Sequence, residues 1–139
     1  MKFFKFIGDD NCSLSNRADR LHYIKGETIE IMNANMDPSI QCSSGIHCLH
    51  MQSENPINEE SVIFGPKVAI LEADKKDVIY FSNGKCRLRK CKVVDIIKTI
   101  ELPIKLLCGN GNYKFFVGLL NYINDINDKK FRQELMKLN

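Results

Sequence analysis

Over its first hundred residues the chain places apolar side chains in short runs, each bounded by residues that favour turns. Lys2 to Ile7 reads as an opening strand, with aromatics at 3, 4 and 6. Asn11 to Arg20 is polar and reads as loop. A turn at Gly26 leads into a strand over Thr28 to Met32, where Ile29 and Ile31 alternate with Glu30. Asn33 to Gln41, which contains Asp37-Pro38, is a loop, and Gly45 to Met51 is apolar enough for a short strand. Asn55 as N-cap, Pro56 at the first helical position, and Glu59 and Glu60 in the early turns predict a short helix to about Phe64, stopped by Gly65-Pro66. Strands follow over Lys67 to Glu72 and Val78 to Phe81. Asn83-Gly84 then turns the chain into a return strand running from Lys85 to about Ile97.

After Lys98 the pattern changes. Pro103 interrupts an apolar segment, Gly109-Asn110-Gly111 makes a loop, and Asn112 can cap a helix across Tyr113 to Ile123. Phe115, Phe116, Val117, Leu119, Leu120 and Tyr122 make that helix apolar nearly all round, which predicts burial. Asp128 caps a final helix with Phe131, Leu135 and Leu138 on one face. The expected class is α+β: a mostly antiparallel sheet, one short intervening helix and a C-terminal helical hairpin. Residues 1–98 form the expected core domain, and 99–139 a helical extension that packs on the core or serves a homodimer.

At 139 residues, 44% apolar and 27% charged, the chain suits one soluble globular domain with a real core. Lys5, Asp9 and Asp10 cut the N-terminal apolar run below signal-peptide length. No apolar stretch approaches the roughly 18 residues of a membrane helix. An intracellular setting is therefore expected, with the cysteines at 12, 42, 48, 86, 91 and 108 as reduced thiols. A net charge of +3 does not by itself imply nucleic acid.

Two pieces carry the candidate chemistry: Cys42-Ser43-Ser44-Gly45-Ile46-His47, and Gly84-Lys85-Cys86-Arg87-Leu88-Arg89-Lys90-Cys91-Lys92. Cys42, His47, Cys48 and His50, with Cys86 and Cys91, offer zinc-type ligands. The Cys-x4-His and Cys-x4-Cys spacings make no usual knuckle, though, and in a strand His47 and Cys48 point to opposite faces. No metal or other cofactor is expected. Cys42 as nucleophile with His47 as base is a second reading, and it lacks a third, orienting residue. The plainer reading gives Gly45 a positive φ and sets His47 against a backbone carbonyl. On the basic stretch Lys85, Arg87 and Arg89 share one strand face, cations about 7 Å apart that suit a phosphate or an acidic partner. A solvated outer face would look the same. No phosphate loop accompanies these cations, and no aromatics are interleaved for stacking nucleic acid.

Taken in order, Tyr23-x-Lys25-Gly26, Cys42-x-x-Gly45-Ile46-His47 and Gly84-Lys85-Cys86-Arg87 before Val93-Val94-Asp95-Ile96 resemble a small uncharacterised domain. It recurs in proteins of large DNA viruses and bacteriophages, and the boxes are partly similar to the phage rapid-lysis B proteins. The resemblance covers about residues 20 to 97. It departs at Cys48-Leu49, where the family has aromatics, and at Glu59-Glu60-Ser61, where the family has a glutamate-alanine pattern. It implies a fold and a source, with no catalytic residues to carry over. The expected function is a viral or phage accessory binding module without catalysis. Its partner is a host or viral protein, or a small phosphate-bearing ligand held by Lys85, Arg87, Arg89 and His47. Two alternatives stand beside it: a nucleotide-acting enzyme, ADP-ribosyltransferase-like or a hydrolase, with His47 as acid/base, and a structural virion component.

Overall fold

A computed structural model describes residues 1–14, 20–41, 43–51, 57–58, 60, 62–102 and 113–125. Among these residues seven strands are present: β1 (Lys2–Ile7), β2 (Thr28–Glu30), β3 (Ile46–His50), β4 (Lys67–Glu72), β5 (Val78–Tyr80), β6 (Lys85–Leu88) and β7 (Lys90–Lys98). An α-helix, α1 (Tyr113–Asp125), follows. The strands form a single sheet in the order β2-β7-β4-β1-β3-β6-β5, and every pairing is antiparallel. The mostly antiparallel α+β expectation holds at that level. The second helix of the expected hairpin lies outside the described residues. Of the helix expected over Asn55 to Phe64, Asn55, Pro56, Glu59 and Ser61 also lie outside them, but Ile57, Asn58 and Val62 to Phe64 are not α-helical: the Asn58 N–H donates to the Asn83 carbonyl, and Ile57, Val62 and Phe64 turn onto the outer layer of the sheet.

The return strand is the main departure from the sequence reading. Instead of running unbroken from Lys85 to Ile97, it breaks at Arg89, and its halves stand near opposite ends of the sheet. One covalent segment can serve both ends only if the sheet curls back on itself. Backbone bonds fix the corner: Arg89 N–H donates to the Asp77 carbonyl at 2.9 Å, and the Arg89 carbonyl accepts from Ile31 N–H at 2.8 Å. Those partners lie just before β5 and just after β2, so the two outermost strands are tied to one residue. The Arg89 side chain adds Nε and NH2 bonds of 3.0 and 2.6 Å to the carboxylate of Asp77, which is 2% exposed. A bulge between Ile70 and Leu71 in the β4·β7 register adds local twist.

Curling divides the side chains by parity. The inner set contains Phe3, Ile7, Tyr23, Ile46, Cys48, Ala69, Leu71, Cys86, Leu88, Cys91 and Val93. The outer set contains Phe4, Phe6, Leu49, Val68, Ile70 and Ile97, which are covered by Phe115 and Leu119 of α1. Phe115 is the centre of this second layer, with ring centroids 5.7 Å from Phe4, 6.5 Å from Phe6 and 5.9 Å from Phe64. The helix is less buried than its composition predicts. Tyr113, Val117 and Leu120 lie on the exposed side, because a single sheet face can cover only one stripe of a helix. Among the described residues no helix is long and apolar enough to cross a membrane.

Phe115→Ala is expected to cost about 3–5 kcal/mol, because it removes the ring on which both the outer sheet face and Phe64 rest. Urea unfolding checks this, and a loss below about 1 kcal/mol would mean that the helix does not dock as described.

Candidate functional site

The two sequence boxes are neighbours in space. Strands β3 and β6 pair with Ile46 opposite Leu88, His47 opposite Arg87, Cys48 opposite Cys86 and Leu49 opposite Lys85. Side chains directly opposite share a face, so His47, Arg87 and Lys85 fall on the outer side while Cys48 and Cys86 face the interior. Gly45 makes the approach feasible. Its φ of +147° suits glycine alone, and a Cβ there would sit 2.6 Å from Arg87 Cγ.

Arg87 does not belong to an open basic face. It is fully buried, with NH1 donating to the carbonyls of Ile40 at 2.5 Å and Gln41 at 3.1 Å, and NH2 donating to that of Asp37 at 2.8 Å. Its guanidinium carbon lies 5.3 Å from the centroid of the Phe81 ring. The planar fork thus holds the 37–41 loop against the sheet. Arg89 is drawn to Asp77 at the corner. The expected trio of Lys85, Arg87 and Arg89 is therefore split three ways. Lys85 stays partly exposed on the outer side, Arg87 is enclosed by carbonyls, and Arg89 is ion-paired.

His47 is exposed, and its Nε2 lies 2.6 Å from the carbonyl of Ser43. The neutral ring donates in this bond. Desolvation lowers the His47 pKa and the Ser43 bond opposes the change, while the charges of Lys5, Arg87 and Lys85 lower it further. Lys5 was not legible as a site residue from composition or motif. It occupies the inward parity of β1, between Phe3 and Ile7, and its Nζ reaches across to donate to the His47 carbonyl at 2.6 Å. Burial holds its ammonium below the usual lysine range. A lysine on the buried parity of an aromatic strand was the signal available in the sequence.

Three cationic side chains and an imidazole thus meet around the β3·β6 pair. Among the described residues none of Lys5, Lys85 and Arg87 is ion-paired with a carboxylate. The carboxylate of Asp37 feels the charge of Arg87 but is turned onto the backbone N–H and hydroxyl of Ser39.

The buried thiols among the described residues are not activated for nucleophilic or metal chemistry. Cys48, Cys86 and Cys91 are free and buried in the inner core, where burial pushes Cys86 and Cys91 to about 12 and Cys48 well above the ordinary thiol value. Cys42 lies outside the described residues. His50, on the inward parity with Cys48, packs edge-on against Phe3 at 5.2 Å and Tyr80 at 5.4 Å. Among the described residues no group of three or more His, Cys, Asp or Glu is placed to hold a metal ion.

Arg87→Met is expected to lose about 2–3 kcal/mol of stability in urea unfolding, since it leaves the carbonyls of Asp37, Ile40 and Gln41 without donors. Arg87→Lys should recover less than half of that loss, because an ammonium lacks the planar fork. Stability should also respond to mild acid. His47 and His50 both have lowered pKa values, His50 through burial and then the N-terminal charge. The unfolded chain therefore takes up protons first, and the contribution of these rings, complete above about pH 7, falls as the pH drops toward 5. A His47→Gln/His50→Gln variant should flatten that part of a stability–pH profile, and an unchanged slope would refute the assignment.

Compared with known proteins, the chain matches no family model, no curated protein and no solved structure.

Proposed function

We propose that the chain is a non-catalytic binding module, of the viral or phage accessory kind that its boxes resemble, and that it engages an acidic protein segment on the cationic face around His47. The observation that carries this reading is that Lys5, Lys85 and Arg87 lie about His47 with no ion pair among the described residues; Lys85 is the partly exposed cation a partner would meet, and Arg87 adds its charge from behind the 37–41 loop. Cations held together without counter-charges repel one another, and an acidic partner relieves that repulsion. The face suits a chain segment better than a small substrate. Two grooves among the described residues, of about 570 and 250 Å³, are lined by other side chains and include none of His47, Lys85 and Arg87.

Two facts stand against a nucleotide-acting enzyme. The Nε2 of His47 is engaged by a backbone carbonyl, and the guanidinium NH1 and NH2 of Arg87 are engaged by three. An acid/base and a phosphate clamp both need those atoms turned toward substrate.

Titration with poly-L-glutamate, followed by calorimetry at low and high salt, tests the proposal. Binding should be salt-sensitive and should weaken several-fold in Lys5→Gln/Lys85→Gln. Lys85→Gln alone, at a partly exposed position, should also weaken binding while leaving the unfolding midpoint little changed, which separates the loss of charge from the loss of the Lys5 contact. Absence of binding at low salt, or binding indifferent to the double substitution, would overturn it.

A further inference from the structure

A second site lies away from His47, where the curled sheet ends at the start of β4 and the finish of β7. A groove of about 570 Å³ opens there, lined among others by His22, Ile24, Lys25, Lys67, Ile96 and Lys98. Lys67 and Lys98 stand directly opposite each other in the β4·β7 register. Like charges in that position destabilise a sheet. They share a parity with Ala69 and Ile96, which belong to the inner layer, so both lysines rim the end of the barrel rather than its helix-covered side.

Nothing among the described residues neutralises this pair. The Lys67 ammonium donates to the carbonyl of Asp9 and to Asn11 Oδ1, each at 3.0 Å and each uncharged. An ammonium carries three donors, so one remains for a ligand. Lys98 is exposed and has no ion pair among the described residues. Two carboxylates are close by. Asp95 pairs with Lys25 at 3.3 Å, and Glu101 also lines the groove, which leaves the lysine pair as its unpaired cationic part. Beside them, Ile24 (42% exposed) and the partly buried Ile96 supply an apolar wall.

We propose that this groove binds a small organic anion of the phosphomonoester class, with its charged group between Lys67 and Lys98 and its apolar body along Ile24 and Ile96. The anion supplies the counter-charge that the cross-strand lysines lack. A cavity of this volume has room for such a body as well as the headgroup. The site is independent of the His47 face, since none of its residues is shared with it.

Calorimetric titration of the full chain with adenosine 5′-monophosphate as probe, and with inorganic phosphate and adenosine separately, tests the assignment. The nucleotide is expected to bind at least about tenfold more tightly than either fragment, because both halves of the groove contribute. Lys98→Glu should weaken nucleotide binding at least about tenfold while leaving the unfolding midpoint equal or higher, since it turns a like-charge pair into an ion pair. Lys114→Glu, the same charge change on the exposed side of α1, should leave binding unchanged. The proposal is overturned by no binding of the nucleotide at millimolar concentration, by either fragment binding as tightly, by a neutral Lys98→Glu, or by an equal loss in Lys114→Glu.

Discussion

The corner at Arg89 is the constraint on which the rest of the structure depends. A single residue joins strands that belong near opposite ends of the sheet, and both its backbone polar groups and its side chain bind there. Without that bend a seven-stranded sheet would lie open, exposing β2 and β5 as pairing edges. With it, the two outermost strands are tied to the same residue, and the sheet gains an inside. Asp77 is nearly inaccessible to water and its charge is met by Arg89, so the corner is held by groups that have few other partners.

An inside has consequences for chemistry. Of the thiols that look like candidate ligands in the sequence, Cys48, Cys86 and Cys91 fall on the inward parity, where they act as small apolar side chains. Their raised pKa values follow from that placement. On the outward side, the same pairing of β3 with β6 sets His47 against Arg87, and Gly45 leaves room for the arginine stem. The arginine then anchors a loop. The cationic character of the face passes to Lys85 and to Lys5, which reaches the backbone of the neutral His47 from a neighbouring strand.

Local signals carried much of the fold. Lys2–Ile7 and Lys67–Glu72 were readable to the residue, because each is a clear apolar run with a definite stop. The Asn83-Gly84 hairpin was equally plain, and Gly84 adopts a φ of +82° there. What could not be read was the break at Arg89, since its cause is non-local: Asp77 and Ile31 lie far away in sequence. The same holds for Arg87. Alternation correctly placed it on the face of Lys85, but no pattern announces that a loop from 37 to 41 will cover it. Alternation also held the clue to Lys5, in a strand whose aromatic content hid it. For α1, composition suggested burial all round, while exposure on one side follows from its having a single sheet face to cover.

The position of β1 also bears on how the chain reaches this state. It is the first strand in sequence and the central one in space, with β4 on one side and β3 on the other. It therefore finds its partners only after much of the remaining chain is available, and the corner beyond β6 completes the curl later still. Loop-closure entropy must be met before those pairings reward it, which is the condition for slow folding through species with unpaired edges. During synthesis Phe3, Phe4 and Phe6 are made before the β3 and β4 residues that cover them, so until those follow this strand stays open to wrong partners.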